Sequence, residues 1–600
     1  MEFYKKGNTF YKEGKFEEAI DCFDQAINLL PQETAAYVNK DNGLLHLEKL
    51  EEALPFIDKA IILDPKYTTC LACNRKGVAL QAMGKNEEAI ASFEKGIGQF
   101  ADLADLYFNK GISLQALGKT EEAVTCYDKA ISLNATYANA YFKKGMALLE
   151  MERYQEAVPC FDKEISINPN DALVWNNKGA ALQQMEQHKE ALACYEKVIS
   201  LDPNLAEGYY NKGAVLAETG EYEEAVIFYD KAISLNANFA NAYFKKGVAL
   251  DALGEIGDAI ACYLKATKLD PNDAQAYACL GTAFRQLGKN QEAVVCFDKF
   301  ISLNPNNASP YAYADKGQCL LLLGKNEEAV HCFDKTISLD PNYAHAYFAK
   351  GNALLRMGKY QEAVSCYDKT ISLKPEFPDA HFNKGVALQQ LKQYQQAIFC
   401  FERTVDLNPN YFRAYFSEGV ILQALGKDDD ALAYFDQVTK IEPNFLDAYE
   451  NKGIIYIKYG KFEKALACFE ETIRIDPNFA LGYHNKGICL QSLEKVEEAL
   501  ACYDQAISLD PTSILSYSIK ASVLNGLGKS QEAVDICDKG ISIDPNCAPI
   551  YNSKGNALKA LGKKEEALAC FEKSISLNPN SDVTLKNKKE LLDEMGRGEK

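Results

Sequence analysis

From the first residues to about residue 581, apolar positions recur three and four apart in stretches of about fourteen residues. The stretches are broken alternately by a Gly-Lys-like pair, as at Gly118-Lys119, and by Asp-Pro-Asn or a variant. That spacing predicts helices, and the two kinds of break predict that they come in hairpins. The heptapeptide NAYFKKG stands at 139–145 and again at 241–247, an interval of 102 residues or three steps of 34. A short unit therefore recurs, and length has to be read as a number of repeats.

With the glycine of NAYFKKG as anchor, steps of 34 give Gly7, Asp41, then Gly77 to Gly281, and after a second shift Gly317 to Gly487, Ala521 and Gly555. These are seventeen repeats, with two-residue insertions near Cys70 and Pro310. An alanine follows every anchor by twelve residues, from Ala19 to Ala567, and an aromatic usually follows by sixteen, as Phe23, Tyr127 and Phe161. Glycine inside a helix costs about 1 kcal/mol against alanine. Fifteen glycines at one mid-helical place therefore predict a close helix crossing, glycine against alanine, with aromatics filling the flanks. Proline closes fourteen repeats, for example Pro169 and Pro203, because it ends one helix and starts the next.

The spacing Tyr141 or Trp175, Gly145 or Gly179, Ala157 or Ala191, Phe161 or Tyr195, Pro169 or Pro203 resembles the tetratricopeptide repeat. The resemblance covers residues 1 to about 581. It implies an all-α fold, a right-handed superhelical solenoid of antiparallel helix pairs whose first helices line a concave groove. The predicted organisation is 1-67 (repeats 1–2), 70-307 (repeats 3–9), 310-581 (repeats 10–17) and 582-600, a capping helix and tail. The insertions read as changes of twist without a linker. The last segment, with Leu585, Leu591, Leu592 and Met595 among lysines and glutamates, reads as a closing helix with a polar outer face.

Fifteen repeats carry lysine just before the anchor, and sixteen carry Asp or Glu just after the second-helix aromatic. Leu264 is the one missing acid, and the next repeat has Leu280 for lysine. Joint loss predicts a structural ion pair between the acid of one repeat and the lysine of the next; Glu418 is a second lysine exception.

Composition adds little until position is considered. Twelve of nineteen cysteines, such as Cys126, Cys160 and Cys194, share one place in the repeat, too far apart in neighbouring copies for disulfides, and read as small buried fillers. Cys70 and Cys73 have CxxC spacing, but no second pair or histidine completes a metal site. No apolar run reaches the roughly 18 residues of a membrane span, and MEFYKKGNTFYKEGKFEE has no apolar signal core, which predicts a cytoplasmic protein. No nucleophile with a base, no phosphate loop and no length beyond the repeats for a catalytic domain are found, so the expectation is no enzyme and no cofactor.

In the family the groove is lined by residues six, three and two before the anchor and one, four and five after it. Carried over, this gives Asn39, Asn109, Asn177, Asn211, Asn383, Asn451 and Asn485, with aromatics Phe108, Phe142, Tyr210, Phe244, Phe348, Phe382 and Phe416. Amides serve the backbone of an extended peptide while rings take its apolar side chains; the asparagines have no evident packing reason to recur. The six positions hold ten basic and nine acidic residues although the chain carries −19, which argues against nucleic acid. Asn8, Asn39 and Arg75 fall on three positions of the family's carboxylate clamp, but Tyr4 and Leu71 stand at its two lysine positions. The expectation is a scaffold that binds peptide segments or helices of other proteins. Alternatives are a chaperone adaptor gripping a C-terminal carboxylate, a self-associating array and an RNA-reading solenoid.

Overall fold

The computed structural model describes residues 1–64, 69–305 and 309–596. The side chain of Cys70, and with it the CxxC pair and the first insertion, lies outside the described residues. Among these residues the regular structure is all helix, thirty-five in succession. The chain divides into two compact units, 1–308 and 309–600, and within each unit each hairpin packs on the next. The first holds repeats 1–9 and the second repeats 10–17 with the last helix, Asp582–Glu594.

Repeat 4 shows how the hairpin is made. Its first helix, Ala104–Ala116, stops where Gly118 turns to φ 75°, and Gly118 N and Lys119 N donate to Gln115 O and Leu114 O. Glycine takes that conformation without Cβ strain. Glu121 and Glu122 then open the second helix, Thr120–Leu133, where the helix dipole favours negative charge. At the other break a ring four before the anchor locks the turn, since Tyr209 Oη and Trp175 Nε1 donate to the carbonyls of Pro203 and Pro169.

The core is a column of alanines and rings. All seventeen alanines twelve residues after the anchor are fully buried. What meets the anchor glycine, however, is the ring sixteen residues on rather than the alanine: a Cβ built on Gly111 would lie 2.6 Å from Tyr127 Cε1. In all fifteen repeats with a glycine anchor, the ring carbon nearest such a Cβ is within 3.0 Å. The two repeats without glycine also lack the ring, having Asp41 with Ile57 and Ala521 with Cys537. Glycine is therefore the socket for a second-helix ring, which explains why the helix tolerates it.

The lysine ladder is present. Lys144 Nζ lies 2.6 Å from Asp128, Lys212 2.8 Å from Glu196 and Lys486 3.0 Å from Glu470; fourteen such pairs join consecutive repeats among the described residues. The last is Lys588 with Glu572, so the terminal helix docks as one more first helix. Glu418 stands where a lysine should face Glu402, and it is buried. Burial, with the Glu402 charge beside it, pushes its carboxyl up to about 7, although Tyr434 donates to it. Burial raises Asp41 and Glu164 to about 7 as well, against the partial relief that Arg75, 3.8 Å away, gives Asp41.

All eighteen described cysteines are free thiols. Burial pushes those of Cys194, Cys296 and Cys468 up to about 11, which fits fillers rather than nucleophiles.

Gly111→Ala is expected to destabilise its repeat by about 1 to 3 kcal/mol through overpacking. Gly111→Ala with Tyr127→Cys, the combination found in repeat 16, should cost less than the sum of the single changes. Hydrogen exchange of 104–133 measures both. A double-mutant cycle on Asp128 and Lys144 should give a coupling of about 0 to 1 kcal/mol that shrinks with salt. For Glu418 the folded pKa lies above the ordinary 4.5. Its contribution is therefore favourable at low pH and is lost as pH rises from 4.5 through 7. Glu418→Lys, which restores the ladder, should slow exchange of helix Phe412–Ala424 most at about pH 8 and least near about pH 5.

Candidate functional site

Within each unit the first helices present one face made of the six positions around the anchor. The structure divides the side chains there into those engaged in joining repeats and those left over. Most of the asparagines are engaged. Nδ2 of Asn39 donates to Asn8 Oδ1 at 2.7 Å, Asn109 to Asn74 at 2.9 Å, Asn211 to Asn176 at 2.8 Å and Asn383 to Asn352 at 2.9 Å. Each bond clasps one first helix to the next, and Asn587 repeats it to Asn552 from the terminal helix. The asparagines thus do have a packing reason to recur. Asn177 and Asn451 donate instead to carbonyls of their own helices, Leu173 and Asp447. Asn485 is buried.

The seven rings Phe108, Phe142, Tyr210, Phe244, Phe348, Phe382 and Phe416 are half-buried. Each leans on the core ring of its own repeat, with centroids 5.7 to 6.2 Å apart. Five also meet a ring from the following turn, as Phe108 meets Tyr137 at 4.9 Å. Their outer surfaces remain accessible between the clasps. Glutamines four after the anchor are structural as well, since Gln115, Gln183 and Gln491 accept the buried hydroxyls of Tyr127, Tyr195 and Tyr503.

The three clamp residues are engaged with the chain itself. Asn39 bonds Asn8 and the Tyr4 hydroxyl, and Arg75 faces the buried Asp41 carboxyl. The charges of the face are similarly used, since Tyr137 donates to Asp105, Tyr411 to Asp379, and Arg356 to Leu321 O.

Sequence reasoning placed the residues six before the anchor on the groove and counted their charges, but did not single out the apolar ones among them. Leu173 is 55% exposed, and Leu481, Leu515 and Val583 are exposed with it. Their signal was legible as large apolar residues at a place that elsewhere holds Asp105, Glu207 or Asp447. Recesses open on the face, among them two beside these residues. One, of about 690 Å³ in the first unit, lies between Asn168, Asp171, Leu173, Asn176 and Glu207. The other, of about 300 Å³ in the second unit, lies between Ser518, Pro549, Asn552, Ser553 and Thr584. Among the described residues no cluster of His, Cys, Asp and Glu is arranged to hold a metal, and no helix is long and apolar enough to cross a membrane.

Family models described as tetratricopeptide repeat match residues 2–33, 172–205, 206–239, 378–411, 446–479, 480–513 and 548–581. Related repeat models match 72–100, 412–445 and 515–547, 138–171, and 113–152, 252–284 and 351–392. The human protein named RNA polymerase II-associated protein 3 is 30% identical over 91 residues, 15% of this chain; the match spans 13% of that protein's length. Among solved structures, MamA is 27% identical, with 28% of this chain and 92% of that one covered and a TM-score of 0.27. YrrB, described as a TPR protein with an unusual peptide-binding site, is 25% identical, with 32% and 97% covered and a TM-score of 0.30.

Proposed function

The chain belongs to the tetratricopeptide repeat family, and from that premise we propose that it is a non-enzymatic scaffold whose first-helix faces take extended segments or helices of other proteins. The observation that supports this reading is the surplus on that face. Once the glycine sockets, amide clasps and lysine ladder have formed, exposed apolar side chains and accessible ring surfaces remain at spaced intervals. Packing does not require Leu173 or Leu481 to be large, and water does not favour it. Several short contacts strung along a stack bind a flexible partner through effective concentration rather than through one deep pocket. The polar groups between the rings are amides and charges of both signs, such as Lys143, Glu150, Glu207 and Lys245, which can meet the polar groups of a partner segment. The clamp reading gains nothing, because Arg75 and Asn39 are held by groups of the chain.

A photoreactive phenylalanine derivative placed at Leu173 or Leu481, and in separate variants at the exposed second-helix residues Ile227 or Phe399, tests the assignment in cell extract. Discrete adducts are expected from Leu173 and Leu481 and not from Ile227 and Phe399. Adducts from the second-helix positions alone would move partner binding to the second-helix side of the repeats.

A further inference from the structure

We propose that the first-helix face from Leu481 to Val583 is a binding site for an uncharged, extended peptide segment bearing aliphatic side chains. This rests on the reading above that partner segments lie along the first helices; it adds which stretch is used and what chemistry it selects.

Three departures from the repeat coincide there. Ser518 and Asn552 stand three before their anchors, where Phe382 and Phe416 fill the space against the core ring. Without those rings the recess of about 300 Å³ opens between the helices Ile514–Gly526, Ala548–Ala560 and Asp582–Glu594. In the same repeat the glycine and its core ring are replaced by Ala521 and Cys537. The two first helices then meet through hydroxyls, Ser518 to Ser553 at 3.1 Å and Ser522 to Ser553 at 2.9 Å. Small side chains bring these helices together more closely than other consecutive first helices of the stack.

Six before the anchor, four successive first helices carry Leu481, Leu515, Pro549 and Val583, with Leu481, Leu515 and Val583 46%, 59% and 64% exposed. Covering such side chains is worth about 25 cal/mol per Å² of apolar surface. Charge selects the occupant. Earlier in the same unit this face carries Asp379, Arg413, Asp447 and Glu450, whereas from Leu481 to Ala560 its one ionic group is Lys559, and charge returns at the equivalent places of the terminal helix with Lys586, Glu590, Asp593 and Glu594. Lys559 is held by Glu594 at 2.8 Å and by Glu590. His484 lies within the stretch, but its ring is buried, bonded to Ser516 at 2.8 Å, and burial lowers its pKa, so it is neutral at about pH 7. A charged side chain laid on the part of the stretch from Leu481 to Asn552 would lose water and find no counter-charge. A neutral peptide would bury aliphatic groups on the leucine row and bond its backbone to the Asn552 amide, whose Oδ1 already accepts from Asn587. The larger recess of the first unit lacks this character, since Asp171 and Glu207 line it.

The probe is a library of random peptides about twelve residues long displayed on phage, selected on the full chain. Synthetic copies of the enriched peptides are then measured against the full chain, Leu515→Lys and Ser518→Phe, each checked for unchanged helicity and melting. Leu515 is exposed, so its replacement leaves the core intact, and Ser518→Phe restores the ring that other repeats carry. Enriched peptides should be uncharged and aliphatic, and should bind each variant at least about tenfold more weakly, a loss of about 1.4 kcal/mol. Charged consensus peptides, or affinities unchanged in both variants, would overturn this site while leaving the scaffold reading intact. A failure of any peptide to bind the chain would sink both. Concentration-dependent dimerisation abolished by Leu515→Lys, with no peptide effect, would make a second copy the occupant instead and overturn the peptide site.

Discussion

The fold depends on a ring pressed against a backbone. In each regular repeat a tyrosine or phenylalanine of the second helix lies edge-on to the first helix at a place where any side chain would collide with it. The ring supplies a large share of the repeat's buried apolar surface, and glycine on the facing turn is the condition for its entry. The helix propensity lost at one glycine is about 1 kcal/mol, less than the roughly 3 to 5 kcal/mol that a fully buried ring contributes. The exceptions obey the same constraint, because Asp41 and Ala521 occur only where Ile57 and Cys537 have replaced the ring.

Around that contact the repeats are joined by devices that each use one position per copy. The ion pair from acid to lysine ties second helix to following first helix, and the asparagine clasp ties first helix to first helix. Neither is strong in isolation, but in a stack of nearest-neighbour contacts a small term recurs at every joint. Their recurrence is what makes a local defect meaningful. Glu418 facing Glu402 removes the attraction at one joint, and burial of the carboxyl, with the Glu402 charge as a lesser cause, holds its proton up to about 7.

Much of this is legible in the amino-acid sequence. The period, the helix breaks and the seventeen alanines follow from spacing alone, and the ladder can be inferred because Leu264 and Leu280 fail together. The glycine socket is equally available, since both repeats lacking glycine lack the ring, but the alanine twelve residues on recurs without exception and draws the pairing to itself. The asparagines mislead for a physical reason. An amide satisfies either a ligand or a neighbour, and the neighbour here is itself an asparagine 31 or 35 residues away, at a place that shifts between three before the anchor and one after it. A one-position tally along the repeat does not reveal that match. The exposed leucines are hidden differently, because an apolar residue on a helix looks like core until its neighbours are placed.

A repeat architecture therefore separates what it must keep from what it is free to vary. Residues at the socket, the clasp and the ladder are answerable to the next copy, and a change there needs a second change elsewhere. Positions six before the anchor carry little of the stack's packing, so Asp105, Leu173, Glu207 and Leu481 can follow one another along equivalent places. Variation at such positions is where selectivity for a partner can be written without weakening the stack. Repeat 16 goes a step further by relaxing the socket itself. With Cys537 in place of a ring and Ser518 in place of another, the space that packing normally fills becomes a hydroxyl-lined recess beside Leu515. Departure from the repeat and departure from charge meet in one stretch, and the physical consequence of their meeting is a row of exposed aliphatic side chains beside an open recess, poor in charge up to Asn552.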